Sequence, residues 1–306
     1  MLHAKNNPTE MRARFRSDLA SGGLLRMPGA FNPLSALLIE RLGFEGVYVS
    51  GAVVAADLGL PDIGLTTLSE VTNRAEQVAR VTSLPTLVDA DTGFGEPMNV
   101  ARTIQLLEDA GLAGCHIEDQ VNPKRCGHLD GKSIVERSEM VRKVKAASSG
   151  RRDDSFVICA RTDARANEGL NSMIERAKSY VDAGADMIFP EALQDAREFE
   201  AVRRAIDVPI LANMTEFGKS PLLSATELTS LGVNLVIYPV TLLRLAMKSA
   251  EDGLRTLLSE GGQTSLVPKM QTRAELYDLL RYESYGSFDS SIYDFTLEGD
   301  SRVEHD

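Results

Sequence analysis

Asp89 and Asp91 stand two residues apart at the end of the apolar run Thr86-Leu87-Val88-Asp89-Ala90-Asp91, and the run Cys115-His116-Ile117-Glu118-Asp119-Gln120 finishes in two more acids. Residues i and i+2 of an extended strand project to the same side, so Asp89 and Asp91 share a face. Hard oxygen donors from two such runs, with room left for water, suit Mg2+ or Mn2+. The same acids can instead form ion pairs with Arg102, Arg125 or Arg161. A few residues further on, Lys124-Arg125-Cys126-Gly127-His128 places a thiol among cations. Such surroundings lower a thiol pKa toward neutrality, where the group can give or take a proton. His128, two residues away, reads as part of the same site, whereas Cys115 and Cys159 lie within apolar runs and read as small buried hydrophobes. Arg161 closes another apolar run and offers a planar fork for a carboxylate. Arg244 and Arg273 carry the same fork on helical stretches, where a solvated position is the competing reading. Asn213 and Thr215 follow a further run, as neutral donors or as residues that order a turn.

The elements that must position these groups repeat along the chain. Short continuous apolar runs occur at Leu24-Leu25-Arg26-Met27-Pro28-Gly29, Gly46 to Ser50, Thr86 to Asp91, Cys115 to Gln120, Phe156 to Arg161, Met187 to Glu191, Pro209 to Asn213 and Leu235 to Pro239. Unbroken apolar runs of this length are strands covered on both faces, and amphipathic helical patterns separate them. Leu42-Gly43, Ala110-Gly111, Ala183-Gly184 and Leu231-Gly232 recur at helix ends, where a left-handed residue is wanted. The pattern predicts a (β/α)8 TIM barrel, with an open doubly wound sheet as the alternative. In such a barrel the carboxyl ends of the strands form the active face. Here they present Ser50, Asp89, Asp91, Glu118, Asp119, Arg161, Asp163, Glu191, Asn213, Thr215 and Tyr238.

A leading helix is expected from Asn7 to about Ala20, and a long one from about Thr241 to Glu260 after the last strand. The whole of residues 1–306 reads as one barrel domain with a helical extension at about 241–285 and an acidic, loosely held tail at about 287–306. With 43% hydrophobic and 25% charged residues, the 306-residue chain can bury a large core. A net charge of -11 and a pI near 5.0 argue against nucleic acid or an anionic membrane as the main partner. No window is apolar for the roughly 20 residues a bilayer span needs. Three cysteines without paired spacing argue for reduced thiols and a cytoplasmic location.

Several stretches together resemble the isocitrate lyase and phosphoenolpyruvate mutase superfamily, and within it the short 2-methylisocitrate lyase branch. They are Ser50-Gly51 with Leu58-Gly59-Leu60-Pro61-Asp62, Val88 to Gly95, His116 to Gln120, Lys124 to His128, Ala160 to Asp163, Phe189 to Ala192, Ala212 to Gly218, and Met270-Gln271-Thr272-Arg273. By that resemblance Asp89 and Asp91 are metal carboxylates for Mg2+, with Mn2+ possible, and Asp62 and Glu118 act through water. Ser50, Gly51, Ala52 and Arg161 would hold the pyruvate half of a hydroxy acid. Cys126, Gly127 and His128 would face the succinate half, with Glu191, Asn213, Thr215, Arg244 and Arg273 completing the pocket. The implied reaction is Mg2+-dependent cleavage of 2-methylisocitrate to pyruvate and succinate, as in propionate catabolism by the methylcitrate cycle, with Cys126 as proton donor. Tyr48 and Glu118 are the candidates for removing the hydroxyl proton. The resemblance also implies a homotetramer with exchanged helices.

Two stretches depart from the pattern. Ala52-Val53-Val54 replaces a run of glycines, and Leu129-Asp130-Gly131-Lys132 is closer to isocitrate and dimethylmalate lyases. A related di- or tricarboxylic hydroxy acid, 2,3-dimethylmalate or isocitrate, is therefore the alternative substrate. Mutase-type phosphorus chemistry and an inactive binding barrel are the remaining readings.

Overall fold

Asn7 accepts a hydrogen bond from the Thr9 amide and Pro8 fills the first turn, which starts helix α1 (Pro8–Ala20). The computed structural model describes residues 7–125, 127 and 131–294, so Cys126 and His128 lie outside the described residues. After α1 come β1 (Leu25–Pro28), α2 (Pro33–Arg41), β2 (Val47–Val49), α3 (Gly51–Asp57), α4 (Leu68–Ala79), β3 (Thr86–Asp89), α5 (Pro97–Asp109), β4 (Gly114–Glu118), α6 (Arg137–Gly150) and β5 (Val157–Thr162). The second half runs α7 (Ala164–Glu168), α8 (Leu170–Asp182), β6 (Met187–Pro190), α9 (Ala196–Ala205), β7 (Leu211–Asn213), α10 (Ala225–Ser230) and β8 (Leu235–Tyr238). Helices α11 (Thr241–Glu260), α12 (Arg273–Leu279) and α13 (Tyr282–Tyr293) follow, with a 3-10 turn at Thr264–Lys269 between the first two. Among the described residues no helix is long and apolar enough to cross a membrane.

All strand pairs are parallel, in the orders β2-β3-β4-β5-β6 and β7-β8-β1. Isolated parallel bridges, Gly29 to Tyr48 and Ile188 to Ile210, join the two arcs into a closed barrel rather than an open sheet. The second seam is thin for a chemical reason: the Pro209 carbonyl accepts from the Ile188 amide at 3.0 Å, but proline has no N–H to return.

Strand periodicity divides the core in two. One cluster fills the space between strands and helices, with Val49, Val88, Ile117, Ile158 and Val236 facing α-helical residues such as Ile104, Met140 and Tyr180. The other lies within the barrel and under α1, where Met11, Phe15 and Leu19 meet Met27, Leu87, Val157, Met187 and Leu235. Helix α1 therefore plugs the amino-terminal mouth with its apolar stripe. At the opposite end the inward columns turn polar.

The tail expected from about residue 287 is helical as far as Tyr293 in α13. Tyr282, Tyr285, Phe288 and Ile292 recur at near-helical spacing, and Tyr282 stacks on Tyr277 of α12 with ring centroids 4.9 Å apart.

Candidate active site

The inward columns of β3, β4, β5 and β6 end in or beside groups capable of chemistry: Asp89, His116 with Glu118, Arg161 and Glu191. Register places Asp89 beside His116 and Glu118 beside Arg161, so an acid, an imidazole, a second acid and a guanidinium become neighbours around one rim. The chain leaves β3 through Asp91 at φ 47°, a left-handed conformation that aspartate tolerates better than most residues. The Asp91 amide donates to Asp89 Oδ1 at 3.0 Å, and the Gly51 amide donates to Asp89 Oδ2 at 3.2 Å. A Cβ on Gly51 would lie 3.0 Å from Asp89 Oδ2 and 3.2 Å from Asp91 Oδ1, so a side chain here would have to push the carboxylates back by a few tenths of an ångström.

Cations from two elements answer these acids. Arg161 Nε lies 2.9 Å from Asp163 Oδ2 and 3.2 Å from Glu118 Oε2, Nη2 is 3.4 Å from Glu191 Oε1, and the guanidinium stacks over the Phe189 ring at 5.0 Å. Lys124 Nζ contacts Asp62 and stands 2.9 Å from Asp91 Oδ1. Of the pairings open in sequence, Arg161 with Glu118 forms, while Lys124 takes Asp91.

The buried charges are tuned by their neighbours. Burial, then Asp89, pushes Asp91 up to about 6. Burial also drives Glu118 well above the carboxylate range, although Arg161 opposes it. Asp163 goes the other way: burial would raise it, but Arg161 and Lys132 together hold it at about 2. Tyr48 Oη is 2.7 Å from His116 Nε2. Burial lowers His116 to about 4, which keeps it neutral, and burial with Asp89 raises the Tyr48 hydroxyl, which keeps its proton.

Hard oxygen donors face one another here, the donor type a divalent ion takes. Among the described residues Glu118 Oε1 is a buried carboxylate oxygen without a hydrogen bond, and Asp91 Oδ1 faces the Lys124 ammonium, so both are oxygens a hard cation could take. Among the described residues no group of three His, Cys, Asp or Glu side chains is gathered tightly enough to hold a metal. The cleft beside them has a volume of about 100 Å³. Tyr48, Ser50, Ala52, Asp62, Asp89, Gly127, Arg161, Glu191, Asn213, Thr215 and Arg244 all line it, and Gly51 packs beneath through Asp89. Arg244 also pairs with Glu216 at 2.8 Å. Arg273 stands exposed at the start of α12 and does not line the cleft.

Sequence reasoning missed three contributors. Lys124 counted only as a cation beside the thiol, since nothing local says that its ammonium reaches acids from two other elements. His116 was legible, lying two residues before Glu118 on the same strand face. Gln120 gave no signal, yet its side-chain amide brackets Arg125, donating to the Arg125 carbonyl at 2.8 Å and accepting from the Arg125 amide at 2.9 Å.

A closed parallel barrel with acids and a guanidinium at its carboxyl-terminal rim defines an enzyme of the (β/α)8 class. The chain matches the phosphoenolpyruvate phosphomutase family over residues 15–258. It belongs to the phosphoenolpyruvate mutase/isocitrate lyase superfamily. Over 291 residues it is 62% identical to the probable 2-methylisocitrate lyase 2 of Corynebacterium glutamicum, covering 95% of each chain. Among solved structures it is similar to 2,3-dimethylmalate lyase, with a TM-score of 0.88, 31% identity and coverage of 96% of this chain and 99% of that one. It is also similar to phosphonopyruvate hydrolase in complex with oxalate and Mg2+, with a TM-score of 0.85, 27% identity and coverage of 93% and 99%.

Proposed function

We propose that this protein is a Mg2+-dependent carbon-carbon lyase that cleaves 2-methylisocitrate to pyruvate and succinate. The observation that supports the reading is a buried rim of carboxylates in which Arg161 pairs with Glu118 and Lys124 with Asp91, on a chain 62% identical to a probable 2-methylisocitrate lyase. Asp89 and Asp91, with Asp62 and Glu118 through water, would hold Mg2+ or Mn2+, which supplies Lewis-acid stabilisation for oxygen charge when bound. Ser50, Gly51, Ala52 and Arg161 grip the pyruvate half. Glu191, Asn213, Thr215 and Arg244 surround the remainder, and Arg273, which lies outside the cleft, has no part in it.

Breaking the bond between C2 and C3 requires loss of the C2 hydroxyl proton while an electron pair lands on C3. Of the two candidates for receiving the hydroxyl proton, Tyr48 keeps its own because burial raises its pKa, so the role falls to Glu118, whose affinity for a proton burial also raises. Cys126 delivers a proton to C3, with His128 beside it in sequence.

A related hydroxy acid is the second reading, supported by the likeness to 2,3-dimethylmalate lyase. Coupled measurement of pyruvate release decides between them. The highest kcat/KM is expected for 2-methylisocitrate, with activity lost in excess chelator; a preference for 2,3-dimethylmalate or isocitrate overturns the substrate assignment. We also propose a homotetramer, supported by the apolar surface of α11, and a cytoplasmic location, consistent with an acidic chain whose Cys115 and Cys159 are free and buried.

A further inference from the structure

Lys132 lies in the connection between β4 and α6, and its side chain is 1% exposed. A buried ammonium is tolerated only when its donors are used. Here Nζ donates to Asp163 Oδ1 at 2.7 Å and to the carbonyl of Gly127. The backbone of Lys132 is fixed as well, because Asn167 Nδ2 donates to its carbonyl at 2.9 Å. Asp163 is itself held: its amide donates to Asp119 Oδ1 at 2.8 Å, and its two oxygens take the Arg161 fork at 2.9 and 3.2 Å.

Gly127 has no room to spare. A Cβ at this position would overlap Glu191 Oε1 and Arg161 Nη2, so the backbone rests directly on the ion pair at the cleft wall. One acid, Asp163, thus fixes both the guanidinium that faces the cleft and the ammonium that holds the backbone pressed against it.

We propose that Lys132 is a positioning residue: by joining the Gly127 carbonyl to Asp163 it sets where Gly127 rests on Arg161 and Glu191. The Arg161–Asp163 pair keeps its own two hydrogen bonds without Lys132, so loss of the ammonium frees Gly127 and leaves the guanidinium in place. The kinetic part of the proposal rests on the lyase reading; the part concerning Gly127 does not.

Lys132→Met, which keeps the stem and removes the donors, is compared with the full-length wild type by amide hydrogen exchange, thermal unfolding and pyruvate-release kinetics. Peptides within residues 119–135 are expected to exchange about tenfold faster while those of β5 and β6 are unchanged. With the reacting groups displaced by an ångström or so, kcat is expected to fall about a hundredfold and KM to move less than about threefold. Lys132→Ala is the second variant, in which added ethylammonium is expected to restore both exchange protection and turnover. Exchange in Lys132→Met that matches wild type overturns the proposal, as does a kcat that holds while exchange rises. If Lys132→Met does not fold, failure of ethylammonium to restore Lys132→Ala overturns it instead. Absence of pyruvate release by the wild type counts against the lyase reading, and the exchange comparison then decides the role of Lys132.

Discussion

Gly127 shows how much of this site depends on an absent methyl group. Its backbone lies where any Cβ would overlap Arg161 and Glu191, both pinned by ion pairs within the barrel. Gly127→Ala is therefore expected to fold normally but to displace this backbone by about an ångström, lowering kcat/KM roughly a hundredfold in steady-state assays. Turnover near the wild-type level would show that this backbone does not work in this position. At this scale the acids were legible in sequence because they close apolar runs: His116 and Glu118 obey the two-residue period of a strand, whereas Asp91 reaches the rim through the left-handed turn that ends β3. Lys124 and Lys132 were not. Their partners lie far away in sequence or along a loop whose path no periodicity dictates, and only the tertiary structure brings an ammonium to Asp91 or to Asp163.

The elements themselves were largely written in the chain. Continuous apolar runs located every strand of the barrel, and the glycines after helices marked their ends; Gly43, Gly111, Gly184 and Gly232 all adopt positive φ. Boundaries shifted where chemistry forbade pairing, as in β7, which begins at Leu211 after Pro209 rather than at the proline. Helix α13 escaped notice because its aromatic stripe is diluted by serine and acid. Helix α1 has a defined task, closing the mouth opposite the site, with Phe15 wholly buried against the inward strand residues. Phe15→Ala should cost about 3–5 kcal/mol in urea unfolding while leaving KM unchanged, since the cavity opens far from the rim. A loss of less than about 1 kcal/mol would mean that the plug is not part of the core.

For the whole molecule, the feature a single chain does not account for is α11. None of its residues is buried, and Met247, Leu254 and Leu258, spaced to share one face, are 61%, 66% and 89% exposed. An exchanged helix in a homotetramer would cover that face, so sedimentation at micromolar concentration should give a tetramer, and Leu254→Glu should shift it toward smaller species. A wild-type monomer would contradict the assembly. The central claim is that this rim severs a carbon-carbon bond and protonates the carbon left behind. Proton NMR of 2-methylisocitrate incubated with the protein and Mg2+ in D2O tests it directly. The account predicts pyruvate and succinate in equal amounts, with a single deuterium on the succinate, because the carbon acid is quenched by a group that exchanges with solvent. Unchanged 2-methylisocitrate, or products other than this pair, would contradict it.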